Sequence, residues 1–429
     1  MHMKRMRIVL LCHFSNPSIR TSLGLHTGRH YKYTDFGLWN INIINGLKKN
    51  SEIELHVVAP HKGMKRSLQE FEEDGVIYHF FRSELPYPWA QIEYKFFPQS
   101  KRDYPRNRKI VQRIIKSINP DLVNLIGAEN PYYSITALDI KEIPIILHCQ
   151  TVYANPERKK TGKINMQCWD VELQLFHHIR YKACTGRMYY DLIKGYEPSS
   201  IVFPRTWPHS PFPILKEVPK TYDFAFFSRL LNRKKGFDNV IEALGIILKK
   251  HPEVRCLAIG SYDREREMFE KRIKELKLDK NLEIRGFFPE YTDMLQCVKQ
   301  ARFAVLPIKL DVISGTILEA MRIGLPVVTS RTSGTPSLNE KRNTVLISDV
   351  DDNDGLANNM IKLYENPDLA ISLQENAYKY IEELDRKHAD NANIMVAQYK
   401  AVLEHYHKGT PIPLNLLYNI EENIDYRKK

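Results

Sequence analysis

The sequence contains no apolar run that approaches the roughly 20 residues needed to span a bilayer as a helix. Its basic start is followed by an apolar stretch of residues 8–11 only. That stretch is too short for the core of a signal peptide and predicts a first β-strand. These absences predict a cytoplasmic protein, either dissolved or held peripherally at the inner face of the membrane.

The sequence also lacks the short motifs of several large functional classes. Its six cysteines include no CxxC pair, so we expect reduced core residues and neither a disulfide framework nor a zinc site. No zinc-finger, RNP or heptad pattern supports nucleic-acid binding. The GxGxxG triplet that a dinucleotide-dependent oxidoreductase needs after its first strand is missing, so that class ranks low.

The sequence does have the length and composition of two globular domains. Its 429 residues suit two α/β domains, and 43% hydrophobic with 27% charged residues is a globular composition. Short apolar runs alternate with helical patterns in both halves, which predicts parallel sheets with right-handed crossovers. Five prolines within residues 204–219 predict an interdomain linker near 205–220. We therefore divide the chain into residues 1–207, 208–388 and 389–429.

The strongest local pattern is the stretch DVISGTILEAMRIGLPVVTS at residues 311–330. After a predicted strand and loop, Ser314, Gly315 and Thr316 begin a helix, which Gly324 and a following proline end. A helix N-terminus beside small residues binds anions, because its unpaired N–H groups point outward. Glu319, one turn into this helix, is placed to accept hydrogen bonds from ribose hydroxyls.

A second pattern lies upstream of the first. Phe226–Leu230, read FFSRL, follows a predicted strand, and Lys235 and Gly236 open the next helix. Arg229 and the basic run that contains Lys234 and Lys235 place positive charge around this turn, which a solvated basic turn would also explain.

The two patterns together resemble the donor site of GT-B glycosyltransferases, specifically family 4, the retaining group 1 enzymes. The resemblance implies two Rossmann-like domains with parallel sheets facing a cleft. The first domain would bind a glycan or lipid-linked acceptor and the second a nucleotide sugar, and the last helix and tail would pack toward the first domain.

The resemblance also implies roles for single residues. Glu319 would hold the ribose, and Asp311, where the family usually has Glu, would contact the donor sugar. Arg229 and either Lys235 or Lys234 would clamp the two phosphates of the departing diphosphate, although Ser228 replaces the usual glycine. Gly286 and Phe287, at a strand end, would hold the nucleobase.

The N-terminal half matches this family less closely. A single glycine, Gly28, stands where members usually carry a glycine-rich loop, and it would approach the donor phosphate or the acceptor. His148 ends a predicted strand where the family often has a histidine near the transferred sugar. A surface loop and a structural histidine remain the alternatives at these two positions.

The resemblance further implies a retaining transfer from a UDP- or GDP-sugar, with bacterial surface polysaccharide assembly as the setting. We expect no cofactor and no metal, because the two cations supply the charge that a metal would bring. The acidic run at residues 349–354 contains a DxD triplet, but it directly precedes an amphipathic helix, where acids cap N–H groups. A non-transferring sugar-nucleotide enzyme of the same fold, such as an epimerase, remains the alternative.

Residues 82–116 suggest a further partner. Nine Lys or Arg stand against three Asp or Glu, interleaved with aromatic residues, within a chain whose net charge is +12. Cations with aromatics suit contact with an anionic membrane. A solvated helical face explains the pattern equally well, and RNA stacking is a weaker third interpretation.

Overall fold

The computed structural model describes residues 5–25, 36–86, 88–161, 164–208, 212–310 and 313–421. They form two compact units. One lies within Met1–Ser210 and His388–Asp425, and the other lies within Pro211–Lys387. Each unit has its own sheet, helices and hydrophobic core. None of the described helices combines the length and the apolar character that a membrane span requires.

In the described part of the first unit, eight strands form one sheet, ordered β3-β4-β2-β1-β5-β6-β7-β8. The strands are β1 Met6–Leu11, β2 Ile53–His61, β3 Leu68–Glu73, β4 Val76–Arg82, β5 Leu122–Ile126, β6 Ile145–His148, β7 Tyr181–Cys184 and β8 Ile201–Pro204. The helices between them are α1 Pro17–Ser22, α2 Leu38–Leu47, α3 Trp89–Phe96, α4 Pro105–Ile118, α5 Pro131–Ser134, α6 Met166–His178 and α7 Arg187–Tyr196.

One edge of this sheet departs from the parallel arrangement predicted from the sequence. Strand β3 pairs antiparallel with β4, whereas every other neighbouring pair is parallel. Asp74 and Gly75 join β3 to β4 with φ angles of 54° and 74°. Positive φ at both central residues defines the tight turn that matches the twist of a hairpin. The central strands β1 and β5 are mostly apolar and buried, as expected for strands covered by helices on both faces.

The described residues of the second unit form a parallel sheet of six strands, ordered β11-β10-β9-β12-β13-β14. The strands are β9 Tyr222–Leu231, β10 Cys256–Tyr262, β11 Leu282–Arg285, β12 Ala301–Leu306, β13 Val327–Ser330 and β14 Val345–Ser348. The helices are α8 Phe237–Ile247, α9 Arg266–Glu275, α10 Tyr291–Val298, α11 Gly315–Arg322, α12 Asn353–Glu365 and α13 Pro367–His388. Between β8 and β9, residues 205–208 and 212–221 form neither helix nor strand.

The order of strands in the second sheet reverses between β9 and β12. The chain runs outward from β9 through β10 to β11, then returns to β12 on the other side of β9 and runs outward again. In open parallel sheets, ligands bind in the crevice at the carboxyl ends of the strands where the order reverses. The loops after β9 and β12 are therefore the first place to look for a site.

The last long helix, α14 (Asn391–Lys408), packs within the first unit. Its buried Tyr399 accepts a hydrogen bond from Asn124 in β5. It also approaches α2 closely at Gly46, where an added Cβ would lie 3.3 Å from the Cβ of Ala392. The core of this unit thus includes residues from both ends of the chain.

Candidate active site

Arg229 lies near the carboxyl end of β9, at a local irregularity of the sheet. Strand β10 pairs with β9 through Ile259 and Phe227 and then through Ser261 and Leu230, so two residues of β9 face the single Gly260. Gly260 has φ 151°, and an added Cβ would lie 2.3 Å from the Ser228 carbonyl oxygen. A bulge of this kind re-aims the side chains of the bulged strand. It leaves the Arg229 side chain exposed directly after a buried apolar segment.

The turn after β9 is held by its own side chain and by the neighbouring strand. The Asn232 Oδ1 accepts a hydrogen bond from the Lys235 backbone N–H at 3.0 Å. Gly236 follows with φ 78°, and a Cβ there would lie 1.9 Å from the carbonyl oxygen of Pro307, just after β12. Only glycine fits both the left-handed backbone and this close approach. The turn that carries Lys234 and Lys235 is therefore packed against the loop after β12.

Lys309, which the sequence analysis did not single out, connects these two loops. Its backbone N–H donates to the Lys234 carbonyl at 3.3 Å. Its ammonium group, with 12% of the side chain exposed, pairs with Asp238 at the start of α8 and with Asp351. A largely buried cation shared by two carboxylates is costly to remove, because both partners would then lack their counter-charge. Lys309 thus fixes the loop after β12 to the start of α8.

The N-terminus of α11 follows the loop after β12. Ser314 precedes the helix in an extended conformation, and its hydroxyl lies 3.0 Å from the Thr316 hydroxyl. The Ser314 side chain makes no capping hydrogen bond to the helix. Gly315 is exposed, and a Cβ there would meet no described atom within 4 Å. This helix start therefore offers backbone N–H groups and space, as an anion site requires.

Glu319 lies on the half-buried side of α11, next to the start of α10. The Tyr291 hydroxyl donates a hydrogen bond to Glu319 Oε1 at 2.9 Å. Burial raises the pKa of the Glu319 carboxyl, and the Tyr291 hydrogen bond and Arg322 oppose that rise. The Tyr291 hydrogen bond thus orients the Glu319 carboxylate. Nearby in the chain, Gly286 and Phe287 follow β11 and are both exposed, as a base-binding surface would have to be.

The acidic run before α12 is occupied by structural contacts. Asp349 pairs with Arg331, and Asp352 caps α12 by accepting from the Gly355 N–H at 2.8 Å. Asp351 accepts from Lys309 and from the Asn239 amide. Across the described chain, no group of three or more His, Cys, Asp or Glu side chains is placed to hold a metal ion.

In the first unit, His148 ends β6 and is completely buried. Neither ring nitrogen has a hydrogen-bond partner among the described residues. Burial, with a smaller contribution from Arg205, lowers the pKa of His148 to about 3. The ring is therefore neutral at physiological pH, and its contact with a transferred sugar stays a prediction.

Other buried polar groups collect at the carboxyl end of the first sheet, and the sequence analysis did not identify them. Glu129, after β5, lies close to Gln150, since a Cβ on Gly127 would be 2.9 Å from both side chains. Burial raises the pKa of Glu129 to about 7, and its Oε2 has no hydrogen-bond partner in the described part of the chain. His13, after β1, binds the Tyr132 hydroxyl through Nδ1 at 2.7 Å. The sequence contained one signal for Glu129 and His13, since each polar residue lies a few positions after the apolar run of a buried strand.

The structure thus brings several of the predicted donor-site residues to the carboxyl end of the second sheet. The loops that carry Arg229, Lys235 and the α11 start are adjacent there, and Glu319 lies one turn beyond that start. Two predicted residues, Gly28 and Asp311, lie outside the described residues. His148 belongs to the other unit.

The architecture of the two units and the comparisons with known proteins indicate the same fold class. The chain has the GT-B fold, two α/β units that are each built on a parallel sheet, as the resemblance implied. It is similar to the solved sucrose-phosphate synthase of Thermosynechococcus elongatus, with a TM-score of 0.66 at 15% identity over 92% of this chain and 98% of that one. It is similarly close to Anabaena HepE in complex with UDP and glucose, with a TM-score of 0.65 at 17% identity over 92% and 99%.

Residues 214–380 match the family model described as glycosyl transferases group 1. This part of the chain is therefore a group 1 glycosyltransferase domain, and it contains the site described above. A curated relative from Niallia circulans, a 2-deoxystreptamine N-acetyl-D-glucosaminyltransferase, is 23% identical over 35% of this chain and 38% of its own length. The match spans about 40% of the length of the curated relatives.

Proposed function

We propose that the protein transfers a sugar from a nucleotide-sugar donor to a glycan or lipid-linked acceptor, with retention of the anomeric configuration, as a family 4 enzyme. The observation that carries the proposal is the convergence at the β9–β12 reversal. Three features lie there within the group 1 glycosyltransferase domain. They are Arg229 at the bulge of β9, Lys235 on the turn that packs against the loop after β12, and the exposed N-terminus of α11.

The chemistry follows from what these groups bind best. A leaving nucleoside diphosphate gains negative charge as the glycosidic bond breaks, and fixed cations and N–H dipoles stabilise that charge without reorganising. Arg229 and Lys235 would each contact a phosphate oxygen, while Gly315 and Thr316 would donate backbone N–H groups. The departing β-phosphate oxygen would then take the proton of the acceptor hydroxyl on the same face of the sugar. This route assigns no protein nucleophile and no metal.

The nucleoside would be recognised by Glu319 and by the residues that follow β11. Glu319, oriented by Tyr291, would accept hydrogen bonds from the ribose hydroxyls, and the exposed residues Gly286 and Phe287 would contact the base. HepE was solved with UDP and glucose, which supports a UDP-sugar as the first donor to test.

The first unit is the proposed acceptor side. Its half-buried Glu129 and its buried His148 lie at the carboxyl ends of neighbouring strands, β5 and β6, where a parallel sheet presents ligand-binding groups. We place the reaction in the assembly of bacterial surface polysaccharide, with the protein in the cytoplasm.

A thermal-shift screen against UDP-, GDP- and ADP-sugars and NAD(P) tests the proposal. Binding to the folded state at about 100 times Kd stabilises by about 2.7 kcal/mol, which raises the Tm of a domain of this size by about 5–10 °C. We expect that rise with one class of sugar nucleotide, and its loss in Arg229→Ala/Lys235→Ala but not in the control Lys271→Ala. A rise with NAD(P) alone would overturn the proposal.

A further inference from the structure

Helix α3 exposes large apolar side chains instead of burying them. None of its residues is buried, and Trp89, Ile92, Phe96 and the following Phe97 are 60%, 42%, 59% and 62% exposed. Trp89, Ile92 and Phe96 stand three and four residues apart, so they share one face of the helix. Tyr94 adds a further exposed ring. Contiguous exposed apolar surface of this kind marks a contact with a membrane or another molecule.

This exposure is fixed by contacts with the rest of the first unit. Arg106 binds both carboxylate oxygens of Glu93 in α3, at 2.9 and 3.1 Å, and also donates to the Ser83 carbonyl at 3.0 Å. Arg102 donates to the Phe97 carbonyl at 2.9 Å. These polar contacts hold the middle and the carboxyl end of the helix, while its large apolar side chains stay exposed.

The neighbouring helix α4 adds a stripe of positive charge. Its apolar residues Val111, Ile114, Ile115 and Ile118 are buried, whereas Lys109, Arg113 and Lys116 are exposed on the opposite face. The sequence of α4 contains no acidic residue. Arg106 and Arg108 are committed to Glu93 and Asp139, but no ion pair within the described chain neutralises Lys109, Arg113 or Lys116.

We propose that α3 and the exposed face of α4, together called the α3–α4 surface, dock on an anionic lipid bilayer. Trp and Phe prefer the interface between headgroups and acyl chains, while Lys and Arg are attracted to anionic headgroups. A solvated face would need the cations but not three large apolar side chains on one side of a helix. The combination of exposed large apolar side chains with neighbouring cations matches an anionic bilayer, which offers both an apolar interface and negative headgroups. The inference does not depend on the proposed sugar transfer.

Co-sedimentation of the full chain with vesicles, without any sugar nucleotide, tests this inference. We expect binding to phosphatidylglycerol vesicles at low salt and none to phosphatidylcholine vesicles. Binding should fade near 0.5 M salt, where screening shortens the electrostatic field to about 4 Å. Failure to bind phosphatidylglycerol, or equal binding to both lipids at all salt concentrations, overturns the proposal.

Two sets of variants separate the apolar and the charged contributions. Trp89→Ser/Ile92→Ser/Phe96→Ser should weaken vesicle binding at least tenfold while the Tm stays unchanged, because none of these side chains is buried. Lys109→Gln/Arg113→Gln/Lys116→Gln should also weaken it, by roughly fivefold for each cation removed.

Matched controls lie on the second unit, which exposes comparable residues. Met268→Ser/Ile371→Ser removes exposed apolar side chains, and Lys271→Gln/Lys274→Gln/Lys280→Gln removes three exposed lysines. Both control variants should bind vesicles as the unsubstituted protein does. Equal losses in the controls contradict the assignment to the α3–α4 surface. A change of oligomeric state in the α3 variant, with vesicle binding intact, shows instead that the surface contacts a second copy of the chain.

Discussion

Replacing Gly236 with alanine tests whether the turn that carries Lys235 is locked to the loop after β12. The backbone there has φ 78°, and a Cβ would lie 1.9 Å from the Pro307 carbonyl oxygen. A left-handed conformation costs an L-residue about 1–2 kcal/mol, and forcing extra atoms into a packed site costs about 1–3 kcal/mol more. We therefore expect a loss of about 2–5 kcal/mol, which lowers the Tm of the second unit on the order of 10 °C.

Gly75 provides a matched control for this substitution. It has nearly the same backbone angle, with φ 74°, but a Cβ there would meet nothing within 4 Å. Gly75→Ala should therefore cost only the conformational strain of about 1–2 kcal/mol, or a few degrees of Tm. Calorimetric unfolding, with hydrogen exchange to assign each transition to its unit, measures both variants. If Gly236→Ala is no more destabilising than Gly75→Ala, the close packing of the two loops is not as described.

Three further predictions concern the donor site. Arg229→Ala should reduce turnover about 100-fold or more with an unchanged Tm, because it removes a stabilising charge from the leaving group without disturbing the core; more than half the activity in a folded variant would remove Arg229 from the mechanism. Glu319→Ala should weaken the binding of a bare nucleoside diphosphate in calorimetry, and Tyr291→Phe should weaken it less, since Tyr291 only orients the carboxylate; the opposite order would mean that Tyr291 is the ligand. Activity should persist in excess EDTA and in Asp349→Asn/Asp351→Asn, which should melt slightly earlier because Asp351 pairs with Lys309; loss with EDTA and recovery with manganese would show that the clamp alone is not sufficient.

The spacing of apolar residues and the positions of proline and glycine in the sequence predicted most of the fold. Apolar runs at residues 6–12, 53–59, 76–81, 121–126 and 144–149 predict β1, β2, β4, β5 and β6, and runs at residues 222–227, 254–260, 282–286, 302–308 and 326–330 predict β9 to β13. The proline-rich segment near 205–220 indicates where regular structure stops. The missed strands are short or mixed in character. Strand β7 contains the buried Lys182, whose amine binds the Ser200 hydroxyl at 2.9 Å, so its apolar pattern is interrupted. Strand β3 is half exposed and acidic, and only the Asp74–Gly75 turn signals its hairpin.

The sequence predicted which residues form the candidate site, but it did not predict how the fold positions them. Arg229, Lys235 and Glu319 follow buried strands or begin helices, and those positions show in the sequence. The bulge opposite Gly260 depends on pairing between strands, which a single sequence does not reveal. Lys309 and Tyr291 act through side chains 42 and 28 residues away, so their partners emerge only when the chain has folded.

The proposed reaction releases a nucleoside diphosphate from a sugar nucleotide and transfers the sugar to an acceptor. The most direct measurement is NMR of the donor during turnover, with water or a simple glycan as acceptor. We expect free nucleoside diphosphate, a sugar product with the donor's anomeric configuration, and about 100-fold slower release in Arg229→Ala. Conversion of the sugar while it stays attached to the nucleotide, with no diphosphate released, would instead identify a non-transferring sugar-nucleotide enzyme of the same fold, such as an epimerase.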